Sequence, residues 1–202
     1  MRASSLSLLP LLQATVAVAA VARQTVNGVA TVDLTSRTGE AKFLGSGFIY
    51  GWPEGWPGYD GNRHIPHHLA TDIKFNACRA GGAQLPDPSL GWADKGYDSY
   101  AGRFESTLNS YRTTRKYGGD FILLPHDLWG SDGGGVSRLP GDNGNWTEME
   151  IFYDQLIGDL IGNDMLEGLI FDIWNEPELD IFWDREWDQY LDYYVRAHNI
   201  VR

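Results

Sequence analysis

The chain has 202 residues, a formal net charge of −11, 43% hydrophobic residues and 21% charged ones. That length carries one domain, or at most two small ones, with a buried core, and that apolar fraction excludes wholesale disorder. The excess of 27 Asp and Glu over 16 Lys and Arg argues against a nucleic-acid or anionic-membrane partner.

Residues 1–22 read as a secretory signal peptide. Arg2 supplies the positive start, Leu6 to Leu12 open the apolar stretch, and Ala20-Val21-Ala22 fits the small-x-small cleavage pattern. The expected mature chain, 23–202, is then a single secreted unit. No later apolar run approaches the ~20 residues of a membrane span. Cys78 is the only cysteine, so it has no partner within the chain and is expected to be a buried thiol. Asn145-Trp146-Thr147 is an N-glycosylation sequon, which calls for a surface position.

Along the chain, Ala30 to Leu34 and Gly47 to Tyr50 read as short strands bounded by glycine. Gly51 to Arg63 is a Gly- and Pro-rich loop. A helical turn over Pro66 to Thr71 leads into a strand from Phe75 to Arg79, and a long polar loop runs on to about Tyr97. Tyr100, Phe104, Leu108 and Tyr111 form the stripe of a first long helix, stopped by Gly118-Gly119. Asn145 with Glu148 three residues later predicts a capping box. It starts a second helix striped by Met149, Phe152, Tyr153, Leu156 and Leu160. Trp187, Tyr190, Leu191, Tyr194, Ala197 and Val201 stripe a third. Between the helices lie two apolar runs, Phe121 to Leu124 and Leu169 to Trp174, of the kind that suits strands covered on both faces. Alternation of strand and helix predicts an α/β fold with parallel strands.

The polar residues collect where the strands end: Arg79 after the second, His126 and Asp127 after the third, Asn175 and Glu176 after the fourth. In an α/β barrel, chemistry sits at the carboxyl ends of the strands. No GxGxxG or GxxxxGK[ST] follows the first strand, so nothing points to a nucleotide. His64, His67 and His68 have no Cys or carboxylate at ligand spacing and predict no metal site, and no cofactor is expected. Gly133-Gly134-Gly135 lacks the following Lys and Ser/Thr of a phosphate cradle. The acidic group Asp180, Asp184, Glu186 and Asp188 suits the positive end of the last helix.

The sharpest feature is the run from Asp172 to Glu178, DIWNEPE. Asn-Glu-Pro at the end of a fourth strand resembles the clan A glycoside hydrolases, which are (β/α)8 TIM barrels. The stretches LGSGFIYGWP, FNACRAGGAQ, FILLPHDLWG, NGNWTEME and FDIWNEPELDIFW are similar to fungal members of glycoside hydrolase family 39, over nearly the whole of 23–202. The resemblance implies a secreted enzyme that hydrolyses O-glycosidic bonds of plant or fungal carbohydrates with retention. Glu176 would be its general acid/base and Asn175 the residue that bonds the sugar 2-hydroxyl. It further implies substrate-binding roles for Arg79, His126 and Trp129, and Tyr50 and Trp52 are placed near the same mouth.

A general acid must hold a proton near neutral or mildly acidic pH, and Asp172, Trp174 and Glu178 are candidates to shape that environment around Glu176. A TIM barrel needs eight strands and about 250 residues, whereas four βα units are counted here. The resemblance places the nucleophile, a second glutamate, on a seventh strand, and no glutamate of this chain matches it. The chain is therefore expected to be the amino-terminal half of a longer catalytic domain, inactive alone. The alternatives are a non-catalytic carbohydrate-binding or scaffold protein, and an inverting enzyme that pairs Glu176 with another carboxylate such as Asp127.

Overall fold

The computed structural model describes residues 28–36, 39–40, 43, 45–53, 65–83, 90–133 and 138–202. The expected signal peptide therefore lies outside the described residues, as do His64, Gly134 and Gly135. Two compact units divide the chain at Glu40.

In the first unit the expected strand from Ala30 to Leu34 is not formed. Asp33 instead turns the backbone: its Oδ1 accepts from the Thr35 amide at 2.9 Å and the Thr35 hydroxyl at 2.6 Å. Val29, Val32 and Leu34 are exposed. Every residue from Ala30 to Leu34 is exposed, and the Asp33 side chain supplies the competing local bond.

The second unit, Ala41–Arg202, is an α/β structure built on four parallel strands, β1 (Gly47–Ile49), β2 (Ala77–Ala80), β3 (Asp120–Leu123) and β4 (Leu169–Phe171). They lie in the order β1-β2-β3-β4, each beside its predecessor in sequence. Helices α1 (His67–Asp72), α2 (Trp92–Lys95), α3 (Tyr97–Lys116), α4 (Pro125–Trp129), α5 (Thr147–Gly162) and α6 (Trp187–Val201) complete the unit. β1 approaches β2 so closely that a Cβ on Gly47 would fall 2.6 Å from the Ala77 carbonyl oxygen, which only glycine allows.

Register divides the sheet into two unlike faces. Phe48, Cys78, Phe121 and Leu169 form one rung, and Ala80, Leu123 and Phe171 the next. Of these, Ala80, Phe121, Leu123, Leu169 and Phe171 join a core with Tyr100, Phe104 and Tyr111 of α3, Phe152, Tyr153, Leu156 and Leu160 of α5, and Tyr193 and Ala197 of α6. A smaller cluster under β1 joins Trp52, Ala70, Phe75 and Cys78. The opposite face carries the rung Ile49, Arg79, Ile122 and Ile170. There Ile49 is 52% exposed and Ile170 47%. The continuous apolar run of β4 is thus covered on one face only by the described residues.

The three long helices fall where their stripes predict, with α3 starting three residues before Tyr100. α3 is buried more widely than its apolar stripe, because Ser99, Ser106, Thr107, Ser110, Thr113 and Thr114 are buried too. Small hydroxyl side chains let the helix lie close to its neighbours while keeping their own bonds satisfied. Thr107 and Thr114 donate to the carbonyls four residues earlier at 2.9 and 2.8 Å. The capping box at the start of α5 is not formed. Asn145 Oδ1 accepts from the Thr147 amide at 3.0 Å, but Glu148 pairs with Arg138 at 2.5 Å rather than reaching back to Asn145. α2 replaces part of what reads as loop, and α4 follows β3 where no helix is predicted. Gly91 and Gly130, both at positive φ, sit against each other at their ends, where a Cβ on Gly91 would fall 2.7 Å from the Gly130 Cα.

Candidate active site

Each strand delivers a polar or aromatic residue to the same end of the sheet, because parallel strands share a direction. A cavity of about 340 Å³ opens there, and Tyr50, Arg79, His126, Asp127, Asn175 and Glu176 all line it. Tyr50 directly follows β1, Arg79 lies within β2, His126 and Asp127 belong to α4 beyond β3, and Asn175 and Glu176 lie in the turn beyond β4.

Glu176 is exposed at the rim, and its backbone has φ +41°, an unusual conformation for a residue with a side chain. The following Pro177 restricts it further, so the turn carries strain of order 1–3 kcal/mol. Asn175 stands between Glu176 and Arg79. Its Nδ2 donates to Glu176 Oε2 at 3.2 Å, and its Oδ1 accepts from Arg79 Nη2 at 3.0 Å. Arg79 Nε donates at 2.8 Å to Asp172 Oδ2. Asp172 lies two residues beyond Ile170, on the face of the sheet that carries Arg79.

His126 is 1% exposed, with the rings of Trp174 and Phe182 edge-on to it at 4.8 and 5.2 Å. Burial, and then the positive charges of Arg79 and Arg103, push its imidazole down to about 3, so it is neutral across the neutral range. Its Nε2 lies 3.9 Å from Asp127 Oδ1, and its Nδ1 is buried with no hydrogen-bond partner among the described residues. A neutral imidazole bordering a polar cavity can donate or accept a hydrogen bond, though it cannot offer charge. Asp127 is buried, and Asp132, also on the wall, pairs with Arg103 at 2.5 Å. Arg103 also donates to the Asp127 carbonyl.

Two expected wall residues are elsewhere. Trp129 is a core residue: its ring meets Phe152 edge-on at 5.4 Å and its indole N–H donates to the Arg138 carbonyl at 3.0 Å. It borders a separate hollow of about 250 Å³, with Arg138, Asp142 and Glu148. Trp52 is fully buried, stacked on Tyr117 at 4.8 Å and donating to Thr114 Oγ1 at 2.9 Å. Both sites needed an indole donor satisfied inside the fold, which sequence spacing does not reveal. Asn145 of the sequon is exposed.

Reading the sequence alone misses Phe182, Asp132 and Arg103, and the link from Asp172 to Arg79. Alternation from Ile170 to Asp172 is the one signal that placed that carboxylate on the Arg79 face. Among the described residues no group of three His, Cys, Asp or Glu gathers for a metal, and His67 lies against the Tyr117 ring at 5.0 Å. No described helix is long and apolar enough to cross a membrane. Comparison of the chain with protein-family models, with curated proteins and with solved structures finds no match in any of the three.

Proposed function

We propose that this chain is part of a retaining glycoside hydrolase in which Glu176 is the general acid/base and Asn175 binds the sugar beside it. The observation that carries this reading is the shared cavity, where Arg79, His126, Asn175 and Glu176 converge from β2, β3 and β4. Glu176 is an exposed carboxylate beside a carboxamide, on a strained turn at the mouth of a parallel sheet. That arrangement suits proton transfer to a bound leaving oxygen.

The finer architecture in this reading is the first half of a (β/α)8 barrel. Strand order β1-β2-β3-β4 without reversal lets constant-handed crossovers put every helix on one side. The bare rung of Ile49, Ile122 and Ile170 is the surface such a barrel would fill with side chains from opposite strands. Retention needs a second carboxyl about 5–5.5 Å away from the first, supplied in this reading by a later strand. One observation favours the alternative of a carbohydrate-binding protein: of the carboxylates on the cavity wall, Asp127 is buried and Asp132 is held by Arg103.

Glu176→Ala, tested in protein carrying the complete barrel, decides between these readings. Turnover of alkyl glycosides is expected to fall by about 10²–10⁴-fold, with activated aryl glycosides losing less because their leaving groups need little protonation. Equal loss on both substrates would mean that Glu176 is not the acid. Oligosaccharide binding indifferent to Glu176→Gln, without any turnover, would favour the binding protein.

A further inference from the structure

We propose that Asp172 is a positioning residue which, through Arg79, fixes the end of the Asn175 carboxamide that faces Glu176. The proposal rests on the reading of Asn175 and Glu176 given above for its functional meaning, but its physical content stands apart from it.

Asn175 and Glu176 belong to a turn outside the strand ladder, so no sheet hydrogen bond sets their side chains. A free carboxamide can rotate by half a turn and exchange its oxygen for its nitrogen at little steric cost. Here the neighbours remove that freedom. A guanidinium has donors only, so the atom of Asn175 facing Arg79 Nη2 at 3.0 Å is the acceptor Oδ1. The amide nitrogen must then face Glu176 Oε2, at 3.2 Å. Its second N–H remains for a ligand oxygen, so the geometry presents a donor at this point of the mouth.

The arginine itself needs an anchor, because its long side chain carries much rotamer freedom. Asp172 supplies it. The backbone of Asp172 extends the ladder beyond β4, its amide donating to the Leu123 carbonyl at 2.9 Å. Its carboxylate takes Arg79 Nε at 2.8 Å, and that contact leaves Nη2 aimed at Asn175. Two strand-borne residues, Arg79 within β2 and Asp172 just past β4, thus hold a turn residue that the sheet cannot hold. Lysine cannot replace this arginine, since one ammonium on a flexible stem lacks the fork that reaches both partners at fixed geometry.

The test is the side-chain amide signal of Asn175 in the 15N-labelled chain, assigned by its loss in Asn175→Asp. In the parent the two amide protons are expected to be well separated and slow to exchange with water. Asp172→Asn should bring them together and speed exchange by about tenfold, the scale of one hydrogen bond to a charged group. Arg79→Lys should do the same while keeping the charge, and it carries the test should Asp172→Asn not fold. A variant that loses stability yet leaves the Asn175 signal unchanged would make Asp172 a merely structural ion-pair partner and overturn the proposal. No sugar is present in this measurement. If the signal moves as expected but Glu176→Ala leaves glycoside turnover intact, the positioning holds and the glycosidase reading fails.

Discussion

His126 gives the fold a pH dependence that can be worked from its surroundings. Its imidazole is buried between Trp174 and Phe182 and faces the positive charges of Arg79 and Arg103, which push it down to about 3 from an ordinary 6.5. A depressed histidine stays neutral in the folded state while the unfolded chain takes up a proton. Stability is therefore fully present above pH 6.5 and is lost as the pH falls below it, down to about 3, where the folded form also protonates. Each pH unit inside that window costs about 1.4 kcal/mol, so at pH 5 the loss is about 2 kcal/mol relative to pH 7.5. That is a large share of the 5–15 kcal/mol typical of a domain. Asp142 does not confuse the comparison of pH 7.5 with pH 5. At Asp142 burial works upward, but hydrogen bonds from Arg185, the Leu139 amide and Gln189 outweigh it and hold the carboxyl below its usual 3.8. Its contribution is lost only as the pH falls through 3.8 and below, under both pH values of the comparison. Urea denaturation of the parent and of His126→Gln at pH 7.5 and pH 5 measures the effect. The variant loses ring contacts and is expected to be less stable at both, so the difference between the two pH values is the quantity that matters. It should shrink by about 2 kcal/mol in the variant. An unchanged difference would refute the account of a neutral buried imidazole.

Glu176→Gly is expected to raise stability by up to about 1 kcal/mol while removing the proposed acid, because glycine relieves the positive φ; a denaturation midpoint at or below the parent's would argue against strain at this turn. Cys78, fully buried and with its thiol pushed up to about 12 by burial, should react with a thiol reagent only on unfolding, and rapid labelling of the native chain would contradict that placement. Ile170→Lys should change stability by no more than about 0.5 kcal/mol, since the side chain is 47% exposed on the bare face, whereas Phe121→Ala on the helix-covered face should cost about 3–5 kcal/mol. Similar losses for both, measured by urea unfolding, would mean that the bare face is covered.

Local chemistry in the sequence determined much of this protein. Apolar spacing marks α3, α5 and α6, because a helix that buries one side must repeat near every 3.6 residues. The runs at Phe121 and Leu169 mark two strands, with Gly119 and Gly168 before them, although β4 stops at Phe171 rather than Trp174. Polar residues following those runs locate the mouth of the sheet, because strands of one direction bring their ends together. Register and burial are another matter. Trp52 and Trp129 look like site residues in sequence, and only the fold shows that Thr114 and the Arg138 carbonyl take their indole donors. The serines and threonines of α3 lie outside its apolar stripe, and only the fold shows that they are buried. Ala30 to Leu34 alternates like a strand, but the turn that Asp33 makes with Thr35 prevails there. The chain of contacts from Asp172 through Arg79 to Asn175 joins residues 93 and 96 positions apart. Spacing along a chain carries no information about such a pair until the strands that bear it lie side by side.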